Sequence, residues 1–344
     1  MEKNRNQFID MIKGCAIILV IMGHSIQFGS GELWNTSAIF FENYLFKLIY
    51  SFHMPLFMMI SGYLFYYSVN KYSFGKNVWK RITTLLIPIL AWSFAYNIVN
   101  DLVVGKSIFS ISFVKQCIWY AIGSFWFLWA LFYCSFIIIF VSRFCRDSLL
   151  VYSAILILTF IIPDSYNIYL YKYMYPFFVI GYMTNKNKEY FKRMRENHLI
   201  WILSAVCFCC MLLLYNEETY IYVSKYRVLG HEEPIKMFFI DVFRFVIGLL
   251  GSILTIRFLS VVYEKIPPQI SEKVELVGKY SLGIYIISGF LFPLVLVPLS
   301  ANFNGINYFV LLVETAFITI LSFVFTIVIK KIPITNFFLL GGRK

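Results

Sequence analysis

Three ionisable side chains share one face of the first apolar stretch, RNQFIDMIKGCAIILVIMGHS: Asp10, Lys13 and His24. At about 100° per residue their spacings confine them to roughly 60° of arc, a polar stripe on an otherwise apolar helix. An ionisable group inside lipid costs at least about 2.5 kcal/mol on insertion scales, so each is a functional candidate. The rise from Lys13 to His24 is about 16 Å, which sets Lys13 near one membrane surface and His24 in the far half of the bilayer. An imidazole titrates near neutral pH and is suited to taking a proton from a hydroxyl, which makes His24 the candidate general base. His53, in the next apolar stretch YSFHMPLFMMISGYLF, reaches a comparable depth beside Pro55 and Ser61-Gly62. Asp10, His24 and His53 are thus the catalytic candidates. The competing structural reading has Asp10 and Lys13 reaching the interface to fix topology, and each histidine bonding a neighbouring carbonyl.

The elements that must carry these groups follow from composition. The 344 residues are 60% hydrophobic, 20% aromatic and only 14% charged, against about 25% charged in a soluble domain. Stretches approaching the roughly 20 apolar residues of a spanning helix recur along the whole chain. The expectation is an all-α integral membrane protein of about ten spans, near 8–28, 44–68, 82–104, 125–142, 148–163, 168–184, 199–215, 236–258, 277–299 and 307–330. Residues 107–122 are a candidate interfacial helix. A single polytopic domain is expected over 1–344, with an uncleaved first helix and no fused soluble domain.

With the N-terminus cytoplasmic, inside segments hold 22 of the 30 Lys and Arg residues and outside segments 7, with Arg244 inside a span. This bias favours ten spans with both termini cytoplasmic. The net charge of +12 therefore reads as cytoplasmic loops at the bilayer, not as a nucleic-acid surface. The seven cysteines include no CxxC pair, so neither a disulfide framework nor a metal site is expected. The external segment 216–235, with Glu217, Glu218, His231, Glu232 and Glu233, is a candidate substrate lid or simply a solvated connection.

The stretch RNQFIDMIKGCAIILVIMGHS followed by FHMPLFMMISGYL resembles the acyltransferase 3 family of membrane enzymes, which acylate bacterial polysaccharides and lipid-linked sugars. The family's basic residue, ten residues, then histidine is matched by Lys13 and His24, with Asp10 three residues before. Its F-x-x-S-G run behind a Phe-His/Pro entry is matched by Phe52, His53, Pro55, Ser61 and Gly62. Lys80, Arg81 and Pro88, the aromatic run WFLWALF from Trp126 to Phe132, and YSLGIYIIS at 280–288 are also similar to the family. Where many relatives carry Tyr-x-x-His, this chain has Tyr285-Ile-Ile-Ser288.

The resemblance implies transfer of an acyl group, acetyl by family frequency, from acyl-CoA as co-substrate to a hydroxyl of a glycan or lipid-linked sugar. No bound cofactor is implied. The thioester reaction needs a base for the hydroxyl proton and a donor for the tetrahedral oxyanion. His24 is expected as base, with His53 orienting it or supplying the donor. An acyl-histidine intermediate stays open. Lys13, Lys80 and Arg81, at the cytoplasmic ends of spans one and three, are expected to hold the acyl-CoA phosphates. Trp126, Trp129, Asp241, Arg244, Glu314 and Tyr285 form the expected acceptor-binding set. An interfacial aromatic belt explains the tryptophans equally well, and an i,i+3 pair explains Asp241 and Arg244. The expected location is the bacterial cytoplasmic membrane. A homodimer is compatible with the sequence, which does not fix the oligomeric state. The alternative function is an exporter or flippase-like carrier of a glycan or its lipid-linked precursor. Against it, no counterpart of the first-helix stripe occurs in spans six to ten, whereas carriers usually show repeated halves.

Overall fold

The computed structural model describes residues 6–28, 39–105, 110–189, 197–226, 228, 232–296 and 307–342. Lys3, Arg5 and His231 lie outside them. The regular elements among the described residues are all helical. In chain order, helices of eight residues or more are α1 (Gln7–Phe28), α2 (Tyr44–Lys71), α3 (Phe74–Arg81), α4 (Ile87–Val104), α5 (Ile111–Gly123), α6 (Trp126–Phe144) and α7 (Leu149–Ile161). They continue with α8 (Ile168–Lys186), α9 (His198–Leu214), α10 (Pro234–Tyr263), α11 (Pro268–Lys279), α12 (Ser281–Leu291), α13 (Tyr308–Lys331) and α14 (Pro333–Leu340).

A helix lies on every apolar stretch read from the sequence. Among the described residues six helical runs are long and apolar enough to cross a membrane: α1, α2, the run Phe74–Val103 through α3 and α4, α6, α10 and α13. The chain is therefore a multi-pass helical membrane protein. The pair α11 and α12 passes the same test only when taken together, and it is bent by 72°. The bend falls at Tyr280, at the start of the stretch expected over 277–299, and residues 297–299 lie outside the described ones. Upstream of the bend lies α11, PQISEKVELVGK, whose Glu and Lys residues suit an interface. The third span also starts earlier than its apolar run suggests, at Phe74. A π-helical turn, Ile82–Leu86, joins α3 to α4. Pro88 explains that turn. It has no N–H for the carbonyl four residues back, and the register slips by one residue to recover the ladder. Pro293 sits in a second π-turn, Phe292–Leu296, at the end of α12.

The chain divides into two compact units, Met1–Ile60 with Lys186–Ser224 and Phe238–Ile327, and Ser61–Asn185 with Lys225–Met237 and Val328–Lys344. In the first unit, α1 packs along α11 through glycines. A Cβ on Gly14 would overlap the Val274 carbonyl, and one on Gly278 would overlap that of Asp10. Small residues thus let the two backbones touch, as membrane helices do where packing rather than hydrophobic burial drives association. Gly23 works the same way toward α2, where an added Cβ would come within 2.8 Å of the Tyr50 ring. The apolar core of this unit gathers Ile26, Phe40, Phe46, Ile49, Tyr215, Tyr220, Ile247 and Leu311.

In the second unit, Gly62 lets the later part of α2 meet α8, since a Cβ there would overlap the Phe178 carbonyl. Asn185 Nδ2 donates to the Tyr63 carbonyl at 2.6 Å beside it. A buried ion pair joins Lys172 of α8 to Asp164 at 2.6 Å, and the same ammonium donates to the Ile162 carbonyl at 2.8 Å.

Candidate functional site

His24 and His53 both belong to the first unit, and one aromatic side chain lies between them. The Tyr50 ring centroid is 4.8 Å from that of His53 and 6.4 Å from that of His24, edge-on. The His24 ring also lies 4.9 Å from that of Phe292, at the start of the second π-turn. Gln27, one turn beyond His24 and buried, completes the group. Its Oε1 lies 3.3 Å from His24 Nδ1 and accepts from the Tyr50 hydroxyl at 3.3 Å. His53 turns its Nδ1 to the Ile49 carbonyl at 2.7 Å, which is the neighbouring-carbonyl bond expected of a structural histidine. A carbonyl accepts only, so that nitrogen carries the proton and Nε2 keeps a lone pair.

The rest of the first-helix stripe is an ion pair. Lys13 Nζ sits 2.7 Å from Asp10, where Gly278 presses on the Asp10 backbone. On α12, Ser288 replaces the histidine of many relatives and donates to the Tyr285 carbonyl at 3.1 Å, so this hydroxyl is turned back onto its own helix. Glu314 is buried on α13 and follows the same face as Thr315, whose hydroxyl donates to the Leu311 carbonyl.

Asp241 and Arg244 pair at 2.7 Å, with both side chains buried. The guanidinium does more than this. Its Nε donates to the Thr219 carbonyl at 2.8 Å, and it also reaches the Glu218 carbonyl and the Ser224 hydroxyl. These groups line the short helical turns Glu217–Thr219 and Ile221–Ser224. Arg244 therefore fixes the start of the external segment read as a lid or connection. That segment in turn contributes Tyr220 and Tyr222, whose rings lie 6.2 Å and 6.4 Å from Tyr50. Burial raises the Tyr220 phenol above the ordinary tyrosine range, so it stays neutral.

The remaining sequence candidates lie in the second unit. Lys80 Nζ stands 3.7 Å over the Tyr72 ring, with Lys76 at 5.2 Å from the same ring. Hydrogen bonding from Lys80 holds the Tyr72 phenol below its usual range. The Arg81 guanidinium packs 4.3 Å over Phe65. Trp129 Nε1 donates to the Ala121 carbonyl at 2.8 Å and its ring stacks on Tyr133, while Trp126 meets Phe127 edge-on.

The structure thus groups His24 and His53 around Tyr50 and adds Gln27, Tyr50, Tyr220 and Phe292 to the candidates. Gln27 was visible in the sequence as an i+3 neighbour of His24 that widens the stripe to about 100°. The other three are aromatic residues in an aromatic-rich chain, with no local signal to single them out.

Residues 6–331 match the acyltransferase 3 family, described as an acyltransferase domain, and the chain belongs to that family. It is a multi-pass membrane member of a family of acyltransferases. Among curated proteins it is similar to two nodulation proteins named NolL. The one from Mesorhizobium japonicum is 33% identical over 239 residues, 67% of this chain and 61% of the relative. The one from Sinorhizobium fredii is 31% identical over 226 residues, 64% of this chain and 60% of the relative. The chain thus spans about three fifths of the length of these relatives. No solved structure matches it.

Proposed function

We propose that the protein is a membrane O-acyltransferase, acetyl-transferring, that moves the acyl group of cytoplasmic acyl-CoA to a hydroxyl of a cell-surface polysaccharide or lipid-linked sugar. The observation that carries this reading is the grouping of His24 with Gln27, Tyr50 and His53 on the two helices that hold the family's motifs. In the proposed reaction the His24 imidazole takes the acceptor hydroxyl proton as the oxygen attacks the thioester carbonyl. The tetrahedral intermediate carries an oxyanion that a neighbouring donor stabilises. Collapse breaks the C–S bond, and the imidazolium returns its proton to the departing CoA thiolate. His53, turned toward Tyr50, shapes the same pocket from α2.

Lys13, Lys80 and Arg81 are the proposed cations for the nucleotide, and Trp126, Trp129, Tyr285, Asp241, Arg244 and Glu314 the proposed acceptor set. For Arg244 the contacts described above support a role in holding the segment that faces the acceptor. The proposed topology has ten crossings with both ends cytoplasmic, in the cytoplasmic membrane of a bacterium. It is supported by the 22 to 7 division of basic residues and by a helix on each apolar stretch. The deciding experiment mixes purified protein with radiolabelled acetyl-CoA and a glycan-lipid extract of the source cells. Label should enter the glycan with wild type and not with His24→Gln. Undiminished transfer by His24→Gln would remove the base assignment, and glycan uptake into vesicles without acyl-CoA would favour a carrier.

A further inference from the structure

We propose that Gln27 is a positioning residue that sets the tautomer of His24, holding its proton on Nδ1 so that Nε2 is the basic nitrogen. The inference rests on the reading of His24 as general base. A neutral imidazole carries one proton, and the nitrogen that faces an acceptor is the one that keeps it. Nδ1 faces Gln27 Oε1 at 3.3 Å. The Tyr50 hydroxyl donates to the same oxygen at 3.3 Å, so the amide as placed presents its oxygen to both groups. Gln27 is 4% exposed and sits one turn along the same helix, so α1 itself sets its reach to His24. Tyr50 and Phe292 lie against the imidazole and oppose a ring flip that would put Cδ2 in place of Nδ1 opposite Gln27.

His53 is held the same way through the Ile49 carbonyl, so the two imidazoles share one tautomer by separate means. Gln27 differs from the carboxylate that commonly orients a catalytic histidine because it is neutral. It selects a tautomer without adding a buried charge, which apolar surroundings penalise. When His24 takes the acceptor's proton, the bond from Nδ1 to Oε1 becomes charge-assisted and shortens. The orienting contact is therefore stronger after proton transfer than before, the property that lowers a barrier.

The test uses the full chain in lipid nanodiscs with ¹⁵N-labelled histidine, the His24 signal being assigned by its absence in His24→Gln. Wild-type His24 should show the proton on Nδ1. Gln27→Met, close in size but unable to accept, should mix the tautomers. It should lower kcat for acetyl transfer to the glycan-lipid extract by about 10- to 100-fold, part of the roughly 10²–10⁴-fold a general base contributes, with KM for acetyl-CoA unchanged. Gln27→Glu should keep more activity than Gln27→Met. It should also move the acid limb of the kcat profile to higher pH, since a carboxylate stabilises the imidazolium. A proton on Nε2 in the wild type, or wild-type kcat in Gln27→Met, would overturn the proposal. The wild-type spectrum decides even where a variant fails to insert. Inactive His24→Gln beside fully active Gln27→Met would sink the tautomer role alone. Full activity in His24→Gln would sink the base assignment beneath it.

Discussion

Gly278 lies so close to Asp10 that a single added carbon would overlap the Asp10 carbonyl, and Gly14 stands in the same relation to Val274. Because neither obstacle is the end of a flexible side chain, the helices must separate to admit a Cβ. Gly278→Ala and Gly14→Ala should each destabilise the protein by about 1–3 kcal/mol, the usual cost of overpacking. Thermal unfolding in detergent reads this directly. Gly289→Ala is the control, since nothing lies within 4 Å of a Cβ there.

His24 and His53 should respond unequally. With His24 as the proposed general base, His24→Gln should lower acyl transfer by roughly 10²–10⁴-fold. His53→Gln, which removes the ring beside Tyr50, should cost less. Initial rates normalised to protein inserted in the membrane compare the two, and a larger loss at His53 would reverse their roles.

Arg244 offers a test of how the 216–235 segment is held. Arg244→Met strips the bonds to Thr219, Glu218 and Ser224 and leaves Asp241 buried without its cation. Breaking one side of a buried pair costs about 3–5 kcal/mol. Limited proteolysis should then cut within 216–235 sooner than in the wild type. In Asp241→Asn/Arg244→Met much of the stability should return, because no charge is left buried, while the cleavage stays fast.

At Lys80 the expectation concerns both substrate and pH. On the proposed role in acyl-CoA binding, Lys80→Gln and Arg81→Gln should each raise KM for acyl-CoA by about 10- to 100-fold, in line with the roughly 1.5–3 kcal/mol of a charged hydrogen bond, with kcat little changed. The Lys80 ammonium stabilises the Tyr72 phenolate. Ultraviolet difference titration should therefore find Tyr72 ionising below the free-tyrosine range, and Lys80→Gln should move that transition upward.

Helical periodicity alone brought Asp10, Lys13 and His24 onto one face, and the structure pairs the first two. The Asp241–Arg244 pair was legible for the same reason, since both partners lie within one turn. What stayed hidden was nonlocal. The bonds from Arg244 to Glu218, Thr219 and Ser224 depend on where a polar segment folds back. Tyr50 acquires its place between two imidazoles only because Gly23 admits its ring. Helix boundaries were misread where apolar runs end before the helix does. α3 is built from FGKNVWKR and α11 from PQISEKVELVGK, both too polar to register as part of a span. Gln27 carries no charge to single it out, although its i,i+3 spacing from His24 is legible in the sequence.

The shortness of α7 reaches beyond the protein itself. Its 13 residues rise about 20 Å, against a hydrocarbon layer about 30 Å thick. As a crossing it is too short for an average bilayer, and the lipid beside it must thin, or flanking residues must stretch, to close the gap. The host membrane then becomes a partner in stability. Phospholipids with shorter acyl tails would relieve the mismatch on that flank, and thicker bilayers would aggravate it.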